Sequence, residues 1–209
     1  LDQLLNFGKT AFSLHMQQPS VKYFWWPRFK IIAAWIIEEE ARRRQDGLIE
    51  IYAEINGSVD LAGPSGSVRV TARADRVERC ADQSLRIIDY KTGVVPSATM
   101  VENGARNQLL VEALIASEGG FDQVPAGAVS QIEYWQISGG RAQPGTIKPM
   151  HTNGFDSAKM RESLERLVTA YDDMSTCYVS EPVPSLVPPF RPYKHLARCR
   201  EWQIEADDD

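Results

Sequence analysis

The chain has 209 residues, 43% hydrophobic and 24% charged, a globular balance that excludes a disordered chain, a collagen-like repeat and a coiled coil. Lys and Arg number 23 against 28 Asp and Glu, and Glu205, Asp207, Asp208 and Asp209 carry most of the net charge of −5. That balance excludes a simple histone-like nucleic-acid binder and leaves open an enzyme that holds a divalent cation with carboxylates.

Residues 1–20 are mixed and helical in tendency. The aromatic run Tyr23-Phe24-Trp25-Trp26 leads to Pro27, a natural first helical residue. Residues 28–44 have helical spacing, with Phe29, Ile32, Ile36 and Glu39 on one face. Arg42, Arg43 and Arg44 close that helix where its dipole favours cations, and Gly47 ends it. Leu48 to Ile55 alternates as a strand, with turns predicted at Gly57 and at Gly63-Pro64-Ser65-Gly66. Val68 to Glu78 and Leu85 to Lys91 read as two further strands, giving an antiparallel meander. Residues 103–117 read as a helix that is apolar nearly all round and therefore buried, stopped by Gly119-Gly120. Val129 to Ile137 is a strand, residues 139–154 a loop or short hairpin, and Ser157 to Met174 an amphipathic helix. The proline-rich stretch 181–192 is not regular helix.

The longest strictly apolar run, Ile31 to Ile37, is far short of the roughly 18 residues of a membrane span, so no membrane association is expected. Cys80, Cys177 and Cys199 are odd in number and widely spaced, which argues against a disulfide framework or a zinc ribbon and for a reducing, cytoplasmic setting. The opening at Leu1, with neither Met nor a leader, reads as the interior of a longer protein.

The chemistry concentrates in Arg73-Ala74-Asp75-Arg76-Val77 and Ile87-Ile88-Asp89-Tyr90-Lys91-Thr92-Gly93. Asp89 and Lys91 are two apart on a strand and share a face. A hairpin turning on Ala81-Asp82-Gln83 sets Cys80 opposite Ser84 and therefore Asp75 opposite Asp89. Like charges facing each other across a sheet destabilise it unless a cation neutralises them. Lys91 supplies one positive charge, and a hard divalent ion on oxygen ligands supplies two. Such a site polarises a phosphoryl oxygen and activates water, with Lys91 placed to stabilise developing charge. The alternative is a surface salt bridge between Asp89 and Lys91, with Asp75 paired to Arg73 or Arg76. Gln108 opens the buried helix with Glu112 one turn on. It reads either as an amide that orients water or phosphate, or as a helix-start residue bonded to backbone.

Arg73-Ala-Asp75-Arg-Val, Ile88-Asp89-Tyr90-Lys91-Thr92-Gly93 and Gln108 together resemble the PD-(D/E)XK nuclease superfamily in its RecB-like branch. Among these, the chain is similar to the C-terminal nuclease domains of alphaproteobacterial AddB-type subunits, which work with an AddA-like helicase–nuclease subunit in double-strand-break repair. Tyr193-Lys194-His195-Leu196-Ala197-Arg198 and Glu201-Trp202 match the end of those proteins. The resemblance implies an α/β, restriction-endonuclease-like core, a central mixed sheet with an antiparallel meander flanked by helices. It implies a nuclease domain over 1–192 and a tail over 193–209, and a place at the bacterial nucleoid. It implies Asp75, Asp89 and the backbone carbonyl of Tyr90 as ligands of Mg2+ or Mn2+, Lys91 as the catalytic lysine, Gln108 as the motif glutamine, and single-stranded DNA as substrate. The early motif helix with its His or Glu has no equivalent here and is expected upstream of Leu1. With three cysteines, no iron–sulfur cluster is expected.

Arg69, Arg73, Arg76, Arg79 and Arg86 cluster around the hairpin and read either as a track for a phosphate backbone or as a charged sheet edge. Of these, Arg73 and Arg76 are taken as DNA contacts, together with Lys194 and Arg198. The rival function is a catalytically inert module of the same fold that binds DNA or a partner subunit.

Overall fold

The computed structural model describes residues 1–102, 104, 106–151, 155–181, 183 and 192–198. Its elements are α1 (Asp2–Phe12), α2 (Trp26–Gln45), β1 (Leu48–Gly63), β2 (Gly66–Cys80), β3 (Leu85–Lys91), α3 (Ala98–Glu102), α4 (Gln108–Ser117), β4 (Val129–Ile137), β5 (Gly145–His151) and α5 (Ser157–Asp172). Five strands form one mixed sheet in the order β1-β2-β3-β4-β5. β1 to β3 are an antiparallel meander, β3 and β4 run parallel, and β5 returns antiparallel to β4. Parallel neighbours need a crossover, and α3 and α4 supply it.

The β2–β3 turn follows from its own chemistry. Gln83 adopts a left-handed φ of +69°, the Asp82 carboxylate accepts the Ser84 amide at 2.9 Å, and Cys80 N–H donates to Ser84 O at 2.9 Å. The register is the one the hairpin argument requires: Arg79 faces Leu85, Val77 faces Ile87 and Arg76 faces Ile88.

The sheet is covered on both faces. On one, Val77, Ile87, Leu109, Leu114, Ile115, Ile132 and Tyr134 form the apolar core beneath α4, with Met160, Leu164 and Val168 of α5 packed against it. On the other, α2 lies over Ile88, Tyr90 and Trp135, with Trp35 edge-on to Trp135 at 5.5 Å. That second face is bound by charge. Arg43 Nη1 donates to Glu78 Oε2 and Nη2 to Glu133 Oε1, both at 2.5 Å, and the guanidinium lies 4.8 Å from the Trp135 ring centre.

One expectation needs completing and two need correction. Arg43 does lie in the last turn of α2, but it is buried against the sheet rather than serving the helix end alone, because two strands present acids to it. Gly57 does not turn the chain. β1 runs straight through it, and a Cβ there would lie 2.3 Å from the Phe121 ring, so the glycine admits that ring rather than bending the backbone. The buried helix starts at Gln108, not residue 103, with Ala98–Glu102 forming its own short helix before it. Residues 139–154 contain β5, so the hairpin alternative holds there. Most of the proline-rich 181–192 stretch lies outside the described residues.

Candidate active site

β3 alternates its side chains. Asp89 and Lys91 face α4, while Tyr90 faces α2, where its hydroxyl accepts from Arg76 Nη1 at 3.2 Å. The pairing of β2 loosens where these residues sit. The last β2–β3 rung is Arg76–Ile88, and the β1–β2 ladder skips the rung of Glu54 and Asp75, Glu54 taking an unusual φ of +54°. The Tyr90 N–H, two residues past the last rung, donates to Asp75 Oδ2 at 3.0 Å. Asp75 thus stands beside Asp89 with its carboxylate tied to the next peptide.

Asp89 is 1% exposed. Lys91 Nζ donates to its Oδ1 at 2.8 Å and lies 2.7 Å from Oδ2, and Gln108 Nε2 donates to Oδ1 at 2.8 Å. Burial raises the Asp89 pKa above the ordinary value, helped by the charge on Asp75 and opposed by Lys91 and Gln108. Gln108 also donates to Glu112 Oε1 at 3.1 Å. Burial pushes Glu112 up to about 7, Asp89 and Asp75 adding to the rise while Gln108 and Lys91 oppose it. Burial likewise carries Tyr134 to about 12, so its hydroxyl keeps its proton at neutral pH.

Lys91 and Gln108 open onto a pocket of about 430 Å3 that also takes in Pro96, Arg106, Asn107 and Tyr134. It lies at the C-terminal end of a parallel strand pair, where α/β sheets leave a crevice, and at the positive end of α4.

Asp75, Asp89, Lys91 and Gln108 are therefore brought together. The proposed DNA contacts fare differently. Arg73 is exposed and pairs with Glu54 at 3.0 Å. Arg76 is corrected: its side chain is 6% exposed and spent on Glu40, Glu78 and Tyr90, on the face of the sheet away from Asp89. Arg69 pairs with Asp60 and Arg79 with Glu50, so much of the basic cluster is neutralised across strands. Lys194 opens a short 3-10 turn, Lys194–Ala197, that Arg198 follows in a left-handed conformation; the Lys194 side chain and Cys199 lie outside what is described. Two residues beside the pocket and Asp89 were given no role from sequence. Glu112 left a signal, an acid inside an otherwise apolar helix. Arg106 left none beyond its place just before that helix.

A hard divalent cation wants oxygen donors and keeps several waters when few carboxylates serve it. Among the described residues, two buried carboxylate oxygens, Asp89 Oδ2 and Glu112 Oε2, have no aligned hydrogen-bond partner, so the donor chemistry fits such an ion. Among the described residues no three His, Cys, Asp or Glu side chains form a ready-made cage. Two carboxylates, Asp75 and Asp89, would hold the ion, with the carbonyl of Tyr90, the residue after Asp89, and water for the rest.

The sequence profile of the PD-(D/E)XK nuclease superfamily matches residues 10–199. The chain belongs to the PD-(D/E)XK nuclease superfamily. Its mixed five-stranded sheet with flanking helices is the superfamily's restriction-endonuclease-like architecture, and divalent metals are the usual cofactors of its nucleases. Similar curated proteins include an uncharacterized protein of Rickettsia bellii, 30% identical over 125 residues, 58% of this chain and 15% of that one. Another, from Rickettsia typhi, is 29% identical over 135 residues, 65% of this chain and 15% of that one. The match thus spans about 15% of the length of these relatives. The crystal structure of SSO0001 superposes with a TM-score of 0.39 at 12% identity, over 90% of this chain and 97% of that chain. Among the described residues no helix is long and apolar enough to cross a membrane.

Proposed function

We propose that the chain is the nuclease domain of a RecB-like, AddB-type protein, hydrolysing phosphodiester bonds of single-stranded DNA with Mg2+ or Mn2+, in a larger assembly with an AddA-like helicase–nuclease subunit. The observation that carries this reading is the convergence of Asp75, Asp89, Lys91 and Gln108, the last two lining one pocket. The domain spans 1–192 in this reading, with 193–209 as its tail.

A divalent ion held by Asp75, Asp89 and the Tyr90 carbonyl would supply Lewis-acid activation of water and of the phosphoryl oxygen. The chain's own groups do the rest. Lys91 is the cation nearest Asp89 and faces the pocket, so it is placed to move from its carboxylate to the charge that grows on the phosphate oxygens. Gln108 is anchored at the first turn of α4 and orients what lies beside Asp89. Arg106 and the amino end of α4 bind the phosphate and so position the strand. The tail brings Lys194 and Arg198, and β2 brings Arg73, as further backbone contacts.

Metal-dependent cleavage of a labelled single strand tests this reading. D89N and K91A should each lower the rate at least about 100-fold, the loss typical of removing one electrostatic stabiliser. Undiminished cutting by D89N refutes the assignment. The absence of a three-acid cage among the described residues favours the second reading, an inert DNA- or partner-binding module. That reading predicts DNA binding without cleavage and without Mn2+ uptake in a calorimeter.

A further inference from the structure

Glu112 is an acid where α4 is otherwise apolar. Leu109, Ala113, Leu114, Ile115 and Ala116 are all buried around it, and Glu112 itself is 2% exposed. A carboxyl in such a place costs free energy unless its oxygens are served, and only one of them is. Oε1 accepts from Gln108 Nε2 at 3.1 Å; Oε2 has no hydrogen-bond partner among the described residues. The cation that feels it, Lys91, is already seated on Asp89.

The nitrogen that serves Glu112 also serves Asp89, at 2.8 Å. Both hydrogens of the Gln108 amide are thereby spent on two acids. Were the amide to flip, its oxygen would meet two groups that present acceptors. Glu112 and Asp89 thus hold that amide in one orientation, with Gln108 Oε1 turned away from both.

We propose that Glu112 is a positioning residue of the Asp75/Asp89 site: its Oε1 fixes the Gln108 amide, and its unpartnered Oε2 serves the hydration shell of the divalent ion. This rests on the metal-dependent reading given above. Glu112 acts through water and through Gln108, which agrees with the absence of a three-acid cage among the described residues. A purely structural role does not account for it, since an apolar side chain of similar size satisfies this helix better than a half-served carboxyl.

Calorimetric titration with Mn2+, alongside thermal melts in metal-free buffer, tests the proposal on the 209-residue chain as wild type, D89N, E112L and E112Q. Wild type should bind Mn2+ and D89N should not. E112L should weaken binding about 10-fold or more, the usual cost of losing a partner that orients ligands, and should melt higher than wild type. E112Q, which keeps one oxygen acceptor, should fall between them. Mn2+ affinity of E112L within about two-fold of wild type, with D89N unable to bind, overturns the role of Glu112 and leaves the metal site standing. A wild-type chain that takes up no Mn2+ overturns both. If E112L fails to fold, wild-type affinity in E112Q overturns the proposal.

Discussion

Arg43 is the residue whose loss the fold should feel most. Replacing it with Met keeps length and packing but removes the cation shared by Glu78 and Glu133, both 0% exposed. Glu78 keeps Arg76 at 2.5 Å and Arg86 at 3.8 Å. Glu133 keeps only the Trp135 Nε1–H at 3.2 Å among the described residues, and so becomes a buried charge without a counterion. Breaking a buried ion pair from one side costs about 3–5 kcal/mol. For a chain of this length each kcal/mol moves Tm by about 2–4 °C, so R43M should melt roughly 6–20 °C lower. The double variant R43M/E133L removes the stranded acid and should recover most of that loss, because an apolar pair of similar volume often matches a buried ion pair. Urea and thermal melts of wild type and both variants measure this. A loss under about 1 kcal/mol in R43M, or a double variant no more stable than the single, would refute the claim that Arg43 balances the buried acids of that face.

Glu112 sets a pH dependence. Its folded value of about 7 lies above its unfolded value, so the folded chain holds a proton that the unfolded chain has lost. Stability therefore falls as pH rises from about 4.5 to 7, by on the order of 3 kcal/mol over the whole window; E112Q should flatten that slope in metal-free melts, and an unchanged slope would disprove it. Arg106→Ala should weaken binding of single-stranded DNA about equally for all sequences and lower the salt dependence by about one counterion, measured by fluorescence titration at several salt concentrations; an unaltered salt slope removes Arg106 from the phosphate path.

The legible parts of this chain were those fixed by local rules. The turn at Ala81-Asp82-Gln83 sets the hairpin by its own hydrogen bonds, and from it the proximity of Asp75 to Asp89 follows by counting. The strand Leu85–Lys91 and the strand Val129–Ile137 appear with their expected ends. What sequence did not reveal is set by partners distant in the chain. Arg43 and Arg76 look like ordinary surface cations until Glu78 and Glu133 are brought beneath α2. Gly57 looks like a turn until Phe121 arrives against it. Glu112 was visible as an odd acid, but its bond to the amide that also holds Asp89 depends on how α4 sits over β3.

The alternation along β3 sets two polar systems on opposite sides of one strand: Asp89 and Lys91 beneath α4, Tyr90 beside the arginines under α2. Sliding β3 by a single residue would carry Asp89 and Lys91 together among the tryptophans and part Asp89 from Gln108, besides exposing Ile87 and Ile88 to the wrong layers. The residues proposed to cut DNA thus also help to specify the register of β3, by charge as well as by apolar packing.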